Sequence, residues 1–206
     1  LDPDQLMIKR AMDLLGGTLG LFVTAILYPI MALFIKCDSP GPVIFSQERV
    51  GKGGRRFKIY KFRSMYLESE QRKHELHAAN VHQGALFKVE NDPRITKVGR
   101  TIRKYSLDEF PQFWNVLKGD MSIVGTRPPT IDEVSEYEDH HFRRISIKPG
   151  LTGLWQVSGR NKITDFNEVV ALDVNYIRKW NLWLDLKIIF RTVLIVLFPK
   201  GGNIGM

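Results

Sequence analysis

The chain has 206 residues, with 30 Lys and Arg against 22 Asp and Glu, and carries a net charge of +8. That length suffices for one domain with a real core, and an apolar share of 44% excludes a disordered chain. One cysteine, Cys37, excludes an internal disulfide and a cysteine metal cluster, while the basic excess asks for an anionic partner: nucleic acid, anionic lipid or a phosphorylated small molecule.

The first predicted element is the uncharged run Leu14 to Ile35, 22 residues long. As a straight helix it would measure about 33 Å, against about 30 Å for a bilayer core. A signal peptide does not fit, because Lys36-Cys37-Asp38-Ser39-Pro40 follows without a small-residue cleavage site. A buried soluble helix competes with a membrane segment, and the charge-free length favours the membrane. Pro29 removes a backbone hydrogen bond and predicts a kink. Lys9 and Arg10 precede the run and Lys36 follows it, so the positive-inside tendency draws both ends to one side. A re-entrant helix over about residues 9–37 satisfies both ends; a straight span satisfies one.

Val43 to Arg49 and Arg56 to Phe62 read as strands of a hairpin turning at Gly51-Lys52-Gly53-Gly54. That turn lacks the spacing of a phosphate loop. Lys58, Lys61 and Arg63 give the hairpin a cationic side, which is either a solvated face or a ligand or lipid contact. Glu68 to Val81 reads as a polar helix holding His74 and His77, with His82 just beyond. Neither these nor His140-His141 has the acidic or cysteine partners of a familiar metal site.

Ser106-Leu107-Asp108-Glu109 matches a capping box, with Ser106 at the N-cap and Glu109 three residues on. The cap explains Glu109 but not Asp108, which would lie in the first helical turn, where the dipole favours an anion. A carboxylate there can ligate a hard cation or attack phosphorus; an ion pair with Lys104 is the competing reading. In Gly125-Thr126-Arg127-Pro128-Pro129 the prolines stiffen the chain around Arg127, suiting an arginine that grips phosphate or one that merely snorkels. Val174 to Phe198 reads as one long helix, core or interfacial, with Trp180 and Trp183 suited to a headgroup boundary and Lys187 and Arg191 on a polar edge. Without internal repeats or linkers, residues 1–206 make one domain, and a start at Leu1 rather than Met suggests a piece of a longer chain.

In this order, Ser39-Pro40-Gly41-Pro42-Val43, Gln47-Glu48-Arg49-Val50-Gly51, Phe57 to Met65, Asn91-Asp92-Pro93-Arg94-Ile95-Thr96, Ser106 to Gln112, Leu117 to Ser122, Arg127-Pro128, Lys148 to Gly153 and Gln156 to Arg160 span nearly the whole chain. Together they resemble the catalytic domain of bacterial polyprenyl-phosphate hexose-1-phosphate transferases, the monotopic phosphoglycosyl transferases that begin capsule and exopolysaccharide repeat units. The resemblance implies a mostly helical α+β fold: a monotopic membrane domain with a re-entrant helix kinked at Pro29, a small β-hairpin and interfacial amphipathic helices. It implies a bacterial plasma-membrane location on the cytoplasmic face.

The implied reaction has two steps. Asp108 matches the nucleophile that takes a sugar-phosphate from a UDP-hexose, releasing UMP; undecaprenyl phosphate then accepts it. Glu109 matches the second acid of the pair, handling metal or activating the lipid phosphate, with Mg²⁺ held by Asp108 and Glu109. Arg103 and Arg127 match phosphate-holding positions, and Lys61, Arg63 and Arg160 are further candidates for substrate or lipid head groups. The implied partners are membrane lipid and the two substrates, without nucleic acid, and a homo-oligomer is left open. Gly-Thr-Arg-Pro-Pro departs from the commoner Gly-Pro-Arg-Pro, and the ending Gly201 to Met206 differs from that of larger members. Leu154-Trp155-Gln156-Val157 leans toward glucose-1-phosphate or galactose-1-phosphate. From the residues alone, a basic nucleic-acid-binding module and an inactive membrane scaffold are the rivals. The first leaves the apolar run unexplained, the second leaves Asp108 without work.

Overall fold

The computed structural model describes residues 2–69, 71, 80, 85, 89, 91–159 and 163–199. Among the described residues helices dominate, with four short strands in two sheets. Helix α1 (Pro3–Asp38) is longer at its start than the expected 9–37, because Pro3 fits the first helical turn and Gln5 accepts a hydrogen bond from the Asp2 N–H (3.1 Å). At about 1.5 Å per residue it runs roughly 54 Å. It is long and apolar enough to cross a membrane, and Pro29 lies inside it without ending it.

One stripe of α1 is buried: Lys9, Asp13, Gly17, Gly20, Thr24 and Ile35, at the three- and four-residue steps that keep one helix face. It lies against α3 (Phe113–Lys118). Gly20 is required there, because a Cβ would sit 2.4 Å from the Phe113 ring. The opposite face leaves Leu15, Leu19, Phe22, Ile26 and Leu33 exposed, which is not how a buried soluble helix behaves.

Strands β1 (Ile44–Val50) and β2 (Arg56–Phe62) form the antiparallel hairpin within a residue of expectation, Ile44 opposite Phe62 and Val50 opposite Arg56. Gly53 and Gly54 take positive φ in the turn, as a tight reversal requires. The alternation of β2 puts Lys61 and Arg63 on the face that also carries buried Ile59. Lys58 points the other way, so the hairpin has no single cationic side. Asn115 of α3 acts as a side-chain rung on β2: its Nδ2 donates to the Lys58 carbonyl (2.7 Å) and its Oδ1 accepts from the Tyr60 N–H (3.3 Å). This fixes the segment before α3 beside Lys61.

β3 (Ser122–Val124) and β4 (Gly150–Thr152) pair in parallel. Between them run α4 (Ile131–Ser135) and a 3-10 helix, Asp139–Ile145; α5 (Leu154–Val157) follows β4. The expected single helix from Val174 to Phe198 is two, α6 (Phe166–Arg178) and α7 (Leu182–Leu197). The break comes at Asn181, whose side chain accepts from the Leu184 N–H (2.8 Å) and caps α7. Only Asp185 and Ile188 of α7 are buried, while Leu182, Trp183, Leu186, Phe190, Val193, Leu194 and Leu197 are exposed, so most of its apolar surface is not packed in the core. Trp180 is half-buried, its indole N–H donating to buried Asp185 (3.0 Å). Beyond the short Leu67–Ser69 turn, the helix expected from Glu68 to Val81 falls mostly outside the described residues, as do His74, His77 and His82.

Candidate active site

Helix α2 (Lys97–Lys104) starts at Thr96, whose hydroxyl accepts from the Gly99 N–H (2.9 Å). Gly99 lies so close to the hairpin's exit that a Cβ would meet the Ser64 carbonyl oxygen at 2.0 Å, so no larger residue fits. After α2, Ser106 swings to positive φ and a 3-10 helix runs from Leu107 to Gln112. Leu107 and Phe110 anchor this turn in the cluster of Ile35, Val43, Phe62 and Ile102. The Thr24 hydroxyl of α1 lies 3.1 Å from the Phe110 carbonyl, joining the apolar helix to the acidic turn.

The capping box expected at Ser106 is not formed. With φ of 52°, the Ser106 side chain makes no cap hydrogen bond, because the left-handed conformation points it away from the turn it would close. Glu109 instead accepts from Lys61 Nζ at 3.2 Å, and the same ammonium lies 4.0 Å from Asp108. Glu109 is therefore not spent on capping. Nor does a full helix dipole act on Asp108: the element is one short 3-10 segment. Lys104 lies over the Tyr105 ring, and the cations acting on Asp108 are Lys61 and Arg103. Asp108 is buried, and burial pushes its carboxyl above the ordinary aspartate range, with Lys61 opposing the rise, Glu109 adding to it and Arg103 opposing it.

Beside Lys61 lies a cleft of about 180 Å³, whose charged lining among the described residues is Arg49, Lys61, Arg63, Arg94, Arg103 and Arg127 against one carboxylate, Glu133. A smaller cavity of about 40 Å³ continues past Lys61 to Glu109, Gln112 and Arg127. Arg103 reaches the cleft with Nε donating to the Ser64 hydroxyl (2.8 Å). Arg127 reaches it held by Glu133 in a two-bond fork of 2.9 and 3.1 Å.

Arg63 has a different job. Its Nε, Nη1 and Nη2 donate to the carbonyls of Pro42 (2.7 Å), Pro40 (2.6 Å) and Ser39 (2.7 Å). It pins the α1–β1 connection, supplying donors to three carbonyls of that turn, of which that of Ser39 belongs to a buried residue. Arg160 lies outside the described residues. The adjacent carboxylates Asp108 and Glu109 are hard oxygen donors that suit Mg²⁺, an ion that keeps coordination sites for substrate phosphate and water.

Glu133 was not among the sequence candidates, although Thr130-Ile131-Asp132-Glu133 is a capping box, and here that signal holds: the Glu133 N–H donates to Thr130 Oγ1 (3.1 Å) and the Thr130 N–H donates to Glu133 Oε2 (2.9 Å). Burial raises the Glu133 carboxyl, but Arg127, by charge and hydrogen bonds, outweighs it and holds the pKa at about 2, against 4.5 ordinarily. The folded value is the lower one, so the stability it adds is complete above the ordinary glutamate range and is lost as pH falls toward the folded value. Glu133→Gln should cost on the order of 3 kcal/mol at pH 7. In urea unfolding, that gap from the wild type should narrow steadily below about pH 4.5; a gap unchanged near pH 2 would contradict this assignment.

His140 and His141 both place Nε2 on Asn167 Oδ1, at 2.9 and 3.0 Å, and His141 Nδ1 accepts from the Glu138 N–H (3.0 Å). Their ring nitrogens serve the packing of the Asp139–Ile145 helix on α6, next to Glu138 in one compact group.

Residues 4–199 match the family model described as bacterial sugar transferase. The galactosyl transferase CpsE of Streptococcus agalactiae serotype III is 55% identical over 198 residues, covering 96% of this chain and 44% of the relative. An undecaprenyl-phosphate galactose phosphotransferase of Salmonella typhimurium is 45% identical over 199 residues, 95% of this chain and 41% of its own. The UDP-glucose:undecaprenyl-phosphate glucose-1-phosphate transferase of Escherichia coli K12 is 42% identical over 194 residues, 91% of this chain and 39% of its own. The chain thus spans less than half the length of these relatives.

Proposed function

This chain belongs to the bacterial sugar transferase family, and from that premise we propose that it moves a hexose-1-phosphate from a UDP-hexose to undecaprenyl phosphate, releasing UMP. The observation that carries the reading is Lys61, whose one ammonium spans Glu109 and Asp108 at the edge of a cleft lined with cations. A diphosphate is the kind of ligand that such a cleft attracts, and an unsolvated carboxylate beside it is a competent nucleophile. The named activities of the Salmonella and E. coli relatives support both substrates.

In the first step an Asp108 oxygen bonds to the β-phosphorus as the bond from that phosphorus to the bridging oxygen breaks, and UMP leaves with the electron pair. In the second a phosphate oxygen of the lipid bonds to the same phosphorus and the Asp108 oxygen departs. Lys61, Arg103 and Arg127 offset the phosphate charge, and Glu109 is placed to act on the lipid phosphate. Asp108 and Glu109 would hold Mg²⁺, which when bound screens the diphosphate's charge.

The exposed apolar faces of α1 and α7 support attachment to the cytoplasmic face of the bacterial membrane, and the cations Lys9, Arg10 and Lys36 at both ends of the run support re-entry with a bend at Pro29. The test uses protein in lipid nanodiscs and a panel of UDP-hexoses labelled in the β-phosphate. Without acceptor, UMP should appear in step with label bound to protein. Added undecaprenyl phosphate should then move that label into the lipid extract. Lipid product formed with no protein-bound label would overturn the covalent route, and no UMP from any UDP-hexose would overturn the transferase reading.

A further inference from the structure

The loop carrying Arg127 is pinned on three sides. Before it, the Thr126 hydroxyl donates to the Arg144 carbonyl (2.8 Å), and Arg144 is itself fully buried against Asp173 (2.8 and 2.9 Å). After it, Arg49 Nη1 donates to the Pro128 carbonyl (3.1 Å). Beyond that, the Glu133 carboxylate takes both Arg127 Nη nitrogens and the Thr130 N–H. Proline at position 126 could not make the first of these bonds, so the Gly-Thr-Arg-Pro departure gives this chain a tether.

Starting α4 needs only one Glu133 oxygen. The second, committed to half-buried Arg127 in the cleft wall, has no capping duty. An arginine fork occupies one N–H on each Nη and leaves three N–H bonds outside it: Nε–H and one on each Nη. We propose that Glu133 is a positioning residue for the transfer, presetting the plane of the Arg127 guanidinium so that those remaining donors meet the phosphates of the nucleotide sugar. The assignment rests on the function proposed above. A free arginine would have to be ordered as substrate arrives, whereas this one is ordered during folding, so the ligand keeps more of its binding free energy.

The experiment compares wild type, Glu133→Gln, Arg127→Ala and the double variant in nanodiscs. Measurements are made at a temperature where circular dichroism shows all four folded. Both the KM and kcat for UDP-hexose and the Kd of UDP by calorimetry are recorded. Glu133→Gln should raise KM and the UDP Kd roughly tenfold and change kcat much less, a split that lost stability alone would not produce. In the Arg127→Ala background it should add nothing further, because the residue acts through Arg127. The proposal is overturned if Glu133→Gln leaves KM and UDP affinity within twofold of wild type, or if the two losses multiply. Should the wild type bind UDP but transfer nothing, the transferase reading fails while the UDP affinities still decide the role of Glu133. Absence of UDP binding by the wild type overturns both.

Discussion

Asp108→Asn is expected to reduce turnover by at least about 10³-fold, the scale seen when an enzyme loses its nucleophile, and to do so without lowering stability. Asparagine has the same shape and keeps the packing of the Leu107–Gln112 turn, but it offers phosphorus no anionic oxygen. The stability half of the result separates chemistry from structure. Burial raises the Asp108 pKa in the folded chain, so above the ordinary aspartate range this carboxyl opposes folding; the neutral amide removes that cost. Lys61 retains Glu109 as its closer partner. UMP release and a thermal melt of the same samples decide the matter. A turnover near that of the wild type would sink the nucleophile assignment. A collapse in melting temperature together with lost activity would make Asp108 a structural residue.

The largest stability effect should come from Asp185, far along the chain from the acidic turn. This carboxylate is fully buried and accepts from Lys9 Nζ (2.6 Å), the Tyr176 hydroxyl (2.7 Å) and the Trp180 indole (3.0 Å). Burial and the neighbouring Asp185 hold the Tyr176 hydroxyl well above its ordinary range, so it remains a donor. Lys9 is nearly as enclosed and faces the Tyr176 and Trp180 rings at 5.9 and 5.7 Å. Asp185→Ala leaves that ammonium buried without its counter-charge and should cost about 3–5 kcal/mol, a fall of roughly 10 °C in Tm for a chain of this size. The double variant Lys9→Met with Asp185→Leu removes both charges and should recover most of the loss. A single-variant Tm within about 2 °C of wild type would show that the bridge contributes little. The bridge matters to function because it ties the start of α1 to α7 and so sets the relative orientation of two exposed apolar helix faces.

Much of the architecture follows from short-range signals. The uncharged run, Pro3 and the terminal cations mark α1. Alternation and clustered glycines mark the hairpin to within a residue. Where an expectation failed, a neighbour distant in sequence or a backbone conformation was responsible. Ser106 satisfies the capping pattern, yet its positive φ disables the cap. Arg63 reads as a ligand contact, yet three carbonyls around 20 residues away take its donors. The break at Asn181 was legible as an N-cap residue but was masked by the apolar residues on both sides.

By itself the sequence determined the family, the apolar helix, the hairpin and the adjacency of Asp108 and Glu109, because these depend on residue order and on spacings of a few residues. Only the tertiary structure decided that Glu109 is freed from capping, that Lys61 spans both acids, that Glu133 holds Arg127 and that Lys9 reaches Asp185. Those pairs lie between 6 and 176 residues apart, and burial, which makes such polar groups require partners, exists only once the helices and the hairpin have packed.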